Sequence, residues 1–142
     1  MAGLEPAGSQ AASLQRKKAL FIMGVNDLGY YMDNESGWKR DYLAMIALFR
    51  SINPNVQIYL QEIIPIKEAY RFRWHNMDRV VRYNEMIREI CAEAGCTYVS
   101  ASDFAFEAFL NDDTGAHYDR RFHLYWAQTI ANQMHLWEDH GL

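Results

Sequence analysis

The chain has 142 residues, of which 50% are hydrophobic and 14% aromatic, and its formal net charge at pH 7 is −4. This composition suits one folded domain with its own core and excludes a chain that is disordered throughout. The negative charge argues against general binding to nucleic acids, because phosphates require a basic surface. No apolar run reaches the roughly 20 residues that a membrane-spanning helix needs. Since no apolar leader follows the N-terminus, we expect a cytoplasmic location.

The N-terminal part of the chain divides into a tail and the start of a domain. Residues 1–18 are rich in Ala, Gly and Ser without an apolar period, which predicts a disordered tail or linker before a domain over residues 19–142. The apolar run from Ala19 to Met23 is typical of a strand buried on both faces. The loop expected after this strand contains four residues that favour turns: Gly29, Asp33, Asn34 and Gly37.

Helices and strands alternate along the rest of the chain. The predicted elements are a helix from Trp38 to about Ser51, a strand Val56–Leu60, a helix Asn76–Ala94, a strand Thr97–Val99 and a helix from Phe122 to Trp137. Asn76 is expected to cap the second helix and Gly95 to end it. This order predicts an α/β fold in three layers, α/β/α, with a short parallel sheet. With only three strands, the apolar first strand would have an exposed edge.

Several residues have structural interpretations. Cys91 and Cys96 fit neither a CxxC redox motif nor a zinc pattern, so two buried thiols are expected. Trp126 and Trp137 recur at helical spacing and are expected in the core. The other histidines lack metal-ligand spacing: His123, His135 and His140.

A run of alternating basic and aromatic residues, Arg71 to His75, allows two interpretations. It could stack on RNA bases, or it could form a mobile lid beside an active site. The acidic chain has no second basic patch, which favours the lid.

Polar residues follow the predicted strands, where ligands bind in open parallel sheets. Gly24-Val25-Asn26-Asp27 follows the first strand and Gln61-Glu62 follows the second. A third group, from Asp112 to Tyr118, precedes the last helix.

In this order, the motifs resemble the SGNH or GDSL family of esterases and lipases. Gly24-Val25-Asn26-Asp27 is similar to the family's Gly-x-Asn-Asp block after a buried strand, and Thr114-Gly115-Ala116-His117-Tyr118 is similar to its Asp-Gly-x-His block. The stretch from Asn53 to Pro65 resembles the family's next strand. The resemblance covers roughly Ala19 to Trp137 and implies the flavodoxin-like SGNH hydrolase fold.

The resemblance also implies roles for individual residues. Asn26 would be a side-chain donor of the oxyanion hole, and His117 would be the general base. Gly24 and Asp27 would line the substrate site. Asp113 would orient the imidazole, although the family places its Asp three residues before the histidine, where this chain has Thr114. The implied substrates are small acyl esters, acetylated carbohydrates or lipid-like molecules, with no cofactor and no metal.

One departure from the family concerns the nucleophile. No Gly-Asp-Ser block occurs in the sequence, and Ser9 follows no apolar strand that would aim it at a base. We therefore expect a partial SGNH domain that lacks the family's first strands.

Three hypotheses remain open at this point. The first is an esterase whose serine comes from another chain or from a longer product. The second is a non-catalytic, degenerate hydrolase module that binds a complementing chain or a second copy through its exposed sheet edge. The third is a flavodoxin-like nucleotide binder, for which the residues from Gly24 to Asp27 offer too little backbone freedom.

Overall fold

A computed structural model describes residues 17–66, 72–101 and 120–139. Within these ranges, the elements in chain order are β1 (Lys18–Ile22), α1 (Val25–Tyr31), α2 (Glu35–Ile52), β2 (Gln57–Gln61), α3 (Met77–Ala94), β3 (Thr97–Val99), α4 (Arg120–Gln133) and α5 (Leu136–Asp139). None of the helices in this part of the chain is long and apolar enough to cross a membrane.

The three strands form one parallel sheet in the order β1-β2-β3. Lys18 pairs with Gln57 at the start of β1, and Ile22 pairs with Gln61 at its end. β3 pairs with the second half of β2. The carboxyl ends of the strands therefore meet at one edge of the sheet, and the predicted parallel α/β class is confirmed.

Two apolar clusters pack against the sheet. Ile58 and Leu60 of β2 belong to the larger cluster, together with buried residues of α1, α2 and α3. Tyr59, which points to the other face of the sheet, belongs to a second cluster with Ile130 of α4. Helices thus cover both faces of the sheet, which confirms the expected three layers.

The loop expected after β1 is mostly helical. Gly29 lies inside α1, and Gly37 lies in the first turn of α2. The side chain of Asn34 caps α2 by accepting a hydrogen bond from the Gly37 N–H at 3.0 Å. Leu28 is fully buried in the larger cluster, so core packing outweighs the weak helix propensity of Gly29.

The strand β1 differs from its prediction in extent and in burial. It begins at Lys18, one residue before its predicted start at Ala19, and residues 1–16 of the predicted tail lie outside the described ranges. Instead of being buried on both faces, its first four residues are partly buried, and Ile22 is 49% exposed. The reason is that β1 pairs with β2 alone among the described strands and so occupies a sheet edge.

The ends of α3 follow the prediction. Asn76 accepts a hydrogen bond from the Arg79 N–H at 3.0 Å, and Gly95 adopts a left-handed φ of 67° just after the helix. Cys91 is buried as expected, whereas Cys96 is only partly buried.

The last helix is interrupted, which contradicts one core assignment. α4 ends at Gln133, and His135 adopts a φ of 56°, so the helical period does not continue to Trp137. Trp137 is 45% exposed rather than part of the core. Trp126 packs against the second cluster, as expected.

Candidate functional site

Asn26 lies in the first turn of α1, directly beyond the carboxyl end of β1. Its side chain is exposed and makes no hydrogen bond to any described residue. An unpaired amide at this edge of a parallel sheet is free to donate to a ligand.

Gly24, two residues before Asn26, leaves open space at its own Cβ position. Its backbone is extended, with φ −104° and ψ −170°, a conformation that any residue can adopt. Apart from Gly24 itself and its chain neighbours Met23 and Val25, no described residue has an atom within 4 Å of the place that a Cβ atom on Gly24 would take. The glycine is therefore not required by backbone strain or by close packing against the described residues, and its effect is to keep this space empty.

Asp27 connects α1 to a buried side chain of α2. Its Oδ2 atom accepts a hydrogen bond from Nε1 of the buried Trp38 at 3.2 Å, and its N–H donates to the carbonyl oxygen of Gly24 at 3.1 Å. These contacts give Asp27 a structural role, while its predicted contact with substrate stays a prediction.

Arg79 of α3 holds α1 in position through the carbonyl groups in the C-terminal half of that helix and just after it. Its guanidinium donates to the carbonyl oxygen of Leu28 at 2.6 Å and also to that of Met32. It donates to the carbonyl oxygen of Trp74 at 2.7 Å and to the Tyr83 hydroxyl at 3.1 Å. One cation therefore joins α1, the segment before α3 and α3 itself.

The segment 72–76 carries a histidine that packs closely on α1. The His75 ring is so near to Gly29 that a Cβ atom on that glycine would lie 2.7 Å from Cε1 and 3.1 Å from Nε2. Neither ring nitrogen has a hydrogen-bond partner among the described residues. The sequence predicted His75 only as part of a lid beside the active site, because it ends the basic and aromatic run, and did not single it out as a site residue.

Gln61, at the end of β2, makes a structural contact. It is 1% exposed, and its Oε1 atom accepts a hydrogen bond from Nε1 of Trp126 at 2.7 Å. The contact fastens α4 to the carboxyl end of β2.

Glu62 joins the carboxyl ends of β2 and β3. It is 4% exposed, and its carboxylate accepts hydrogen bonds from the Tyr98 hydroxyl at 2.5 Å, the Ala101 N–H at 2.7 Å and the Ser100 hydroxyl at 3.1 Å. Burial, followed by the hydrogen bond to Glu62, raises the pKa of the Tyr98 hydroxyl above its ordinary value. The Gln61-Glu62 pair thus bonds to the protein itself at the edge where Asn26 remains free.

His117 and Asp113 lie outside the described residues, so their predicted roles are not tested by the geometry. Within the described ranges, no group of three or more His, Cys, Asp or Glu side chains is arranged to hold a metal ion.

Comparison with known proteins gives one family match and several similar structures. The model of a family described as GDSL-like lipase/acylhydrolase matches residues 2–127. A search of curated proteins found no match.

The similar structures share the fold at low sequence identity. One crystal structure has a TM-score of 0.66 and 21% identity, with 89% of this chain and 60% of that chain covered. A catalytic mutant of Axe2, an acetylxylan esterase from Geobacillus stearothermophilus, has a TM-score of 0.54 and 17% identity, covering 92% of this chain and 63% of its own. A second mutant of Axe2, described as an acetyl-xylooligosaccharide esterase, has a TM-score of 0.54 and 18% identity at the same coverage of 92% and 63%. The chain therefore spans less than two thirds of the length of these solved chains.

Proposed function

The chain belongs to the GDSL-like lipase/acylhydrolase family, whose model matches residues 2–127, and from this premise we propose that its site hydrolyses small acyl esters. Membership of the family supports hydrolysis of an ester bond. The finer proposal is that the substrate is an acetylated carbohydrate or a lipid-like ester. Two of the fold neighbours are forms of an esterase of acetylated xylan, which supports the carbohydrate.

The observation that carries the proposal is the free side chain of Asn26. It lies exposed at the carboxyl edge of the sheet, two residues after Gly24, whose Cβ position is open. An ester carbonyl placed there would receive a hydrogen bond from the Asn26 amide as negative charge develops on its oxygen. Loss of one such donor typically lowers the rate by about 10²–10³.

The general base in this proposal is His117. It would take the proton from the attacking serine and return it to the leaving alcohol. Asp113 is the candidate that orients the imidazole. Both assignments rest on the sequence motif around Gly115.

The serine is the part that the sequence does not supply as a recognisable block. Because Gly-Asp-Ser is absent, the proposal requires a serine from polypeptide beyond these 142 residues. Among the described strands β1 pairs with β2 alone, so a further strand could add to its other edge and bring a nucleophile close to Asn26.

The same edge supports a second candidate function. A degenerate hydrolase module without chemistry of its own would bind a partner strand along β1. The partly exposed, apolar Ile22 at the end of β1 favours such an interaction.

Labelling with a fluorophosphonate, followed by intact mass measurement, tests whether the chain contains an activated serine. We expect no adduct on the folded chain. An adduct that is lost in His117→Ala and kept in His123→Ala would contradict the need for an outside serine and would exclude the non-catalytic module.

Ester binding is tested separately by NMR titration of the chain with methyl acetate. We expect the side-chain amide signals of Asn26 to shift, and the shift to be smaller or absent for formamide, which lacks the acyl methyl group and the ester oxygen. No shift of Asn26 with methyl acetate would overturn the ester site and leave the binding module.

A further inference from the structure

We propose that His75 is a substrate-binding residue of this site and that it selects esters whose alcohol carries further hydroxyl groups. The inference rests on the proposed function, because it takes Asn26 as the position of the ester carbonyl oxygen. His75 lies outside the motifs that resemble the family, and its role follows from where the chain places its ring.

The ring of His75 contacts α1 at Gly29. The Cε1–Nε2 edge of the ring lies against Gly29, at 2.7 Å and 3.1 Å from the place of a Cβ atom there. Any larger residue at position 29 would displace the ring. Glycine is unfavourable inside a helix, but it has no Cβ atom. Its presence inside α1 therefore allows the imidazole to approach the helix closely.

Gly29, which the His75 ring contacts, occupies a helix position next to that of Asn26. Residues three apart on a helix are surface neighbours, with Cβ positions about 5–6 Å apart. Asn26 and Gly29 have this spacing in α1, so the ring edge that contacts Gly29 lies at the helix position neighbouring Asn26. The ring and the Asn26 side chain therefore belong to neighbouring positions on the surface of α1.

Hydrogen bonds hold the backbone around His75 in place. Nδ2 of Asn76 donates to the carbonyl oxygens of Phe72 at 2.9 Å and of Arg73 at 3.2 Å. Arg79 donates to the carbonyl oxygen of Trp74 at 2.7 Å. These bonds fix both sides of His75, so its ring is preorganised rather than ordered by a ligand.

The ring nitrogens of His75 have no hydrogen-bond partner among the described residues and are free to bind a ligand. A neutral imidazole donates from one nitrogen and accepts at the other, and a hydroxyl group is able to bond to either of them. A hydrocarbon acyl chain offers nothing to either nitrogen. About one helical turn from the carbonyl oxygen, the ring reaches the alcohol part of the ester, so the favoured substrates are esters of polyols or sugars.

An NMR titration of the full chain with two probes tests this inference. Methyl acetate has an alcohol part without hydroxyl groups, whereas methyl 2-O-acetyl-β-xyloside has free hydroxyls beside the ester. We expect both probes to shift the Asn26 amide, and only the xyloside to shift the His75 ring signals. The xyloside should bind roughly 3- to 10-fold more tightly, the worth of one hydrogen bond.

Three variants separate a role in binding from a role in packing. His75→Ala should remove the preference for the xyloside and leave methyl acetate binding within about twofold. Gly29→Ala, which displaces the ring, should have the same effect. His123→Ala on the exposed side of α4 is the control and should keep the preference. A role in packing alone would lower the melting temperature without changing the preference between probes.

The outcomes distinguish this inference from the proposed function. If Asn26 shifts equally with both probes and His75 with neither, the inference is overturned and the ester site stands. If neither residue responds to either probe, both are overturned. If His75→Ala keeps the preference for the xyloside while the fold is intact, another residue binds the hydroxyl groups and the assignment is wrong.

Discussion

Nε1 of Trp38 donates a hydrogen bond to Oδ2 of Asp27 at 3.2 Å. The indole is buried and packs edge-on against the rings of Tyr42 and Tyr83, so the donor has a fixed position in the core. Asp27 directly follows Asn26 in the first turn of α1. The contact therefore anchors the turn that presents the candidate oxyanion donor.

Asp27→Ala should destabilise the fold. The substitution leaves the buried indole N–H of Trp38 without its acceptor, which costs about 1–3 kcal/mol of unfolding free energy. Urea unfolding measures this, with Asp33→Ala at an exposed site as the control, expected within about 0.5 kcal/mol of wild type. Wild-type stability in Asp27→Ala, together with weaker methyl acetate binding, would support contact with substrate instead.

Arg79→Met should lower stability much more than a similar change elsewhere on α3. The loss of several charge-assisted hydrogen bonds to Leu28, Trp74 and their neighbours should cost about 2–4 kcal/mol. Arg82→Met is the matched control, because Arg82 makes exposed ion pairs with Glu35 and other surface residues, and should cost less than about 1 kcal/mol. Equal losses in urea unfolding would show that Arg79 does not join the three segments.

The parts of the fold that could be predicted are those with local signals. The caps of α3 are visible in the sequence because Asn76 and Gly95 act on backbone atoms within a few residues of themselves. The parallel sheet followed from the alternation of apolar runs. Asn26 could be placed at the carboxyl edge of the sheet because the apolar run of β1 ends just before it.

The parts that could not be predicted depend on contacts between distant residues. The residues of α1 favour turns locally, and the helix is stabilised by burial of Leu28 and by a hydrogen bond from Arg79, which lies 51 residues away. The approach of His75 to Gly29 has no local signature either. The partial exposure of β1 reflects its position at the edge of the described strands, which an apolar run alone does not reveal.

Glu62→Gln and Tyr98→Phe should show coupled effects on stability. The partly buried Tyr98 hydroxyl donates this 2.5 Å hydrogen bond to the buried Glu62 carboxylate, so Tyr98→Phe removes the donor and Glu62→Gln removes the charge of the acceptor. A double-mutant cycle in urea should give a coupling energy of about 1–2 kcal/mol. Additive effects would contradict a direct contribution of this bond, and Tyr30→Phe on α1 is a comparison at an exposed tyrosine.

The two thiols should differ in reactivity. Burial, with a smaller contribution from Cys96, raises the pKa of Cys91 to about 12. Burial also raises the pKa of Cys96, but Arg50 acts against this rise. Because the thiolate is the nucleophile, iodoacetamide at pH 8 should modify Cys96 at least roughly tenfold faster than Cys91, as peptide masses would show. Faster modification of Cys91 would contradict its burial in the larger cluster.

The same shift makes stability depend on pH. The folded state holds the Cys91 proton more tightly than the unfolded chain, whose thiol has its ordinary pKa of 9.0. This stabilisation is therefore fully present below pH 8 and is lost as the pH rises toward 12. Between pH 8 and pH 10, the urea midpoint should fall more in wild type than in Cys91→Ala. Equal falls would show that this thiol does not contribute.

Gly24→Ala and Gly95→Ala should give opposite results. Gly24 is extended and faces open space, so alanine should change stability by less than about 1 kcal/mol. Its methyl group would occupy the open space at position 24, where the proposed ester would lie, and weaken methyl acetate binding by roughly tenfold. Gly95 has a φ of 67°, so alanine there should cost about 1 kcal/mol and leave binding unchanged. Unchanged methyl acetate binding by Gly24→Ala would show that the ester does not occupy this space.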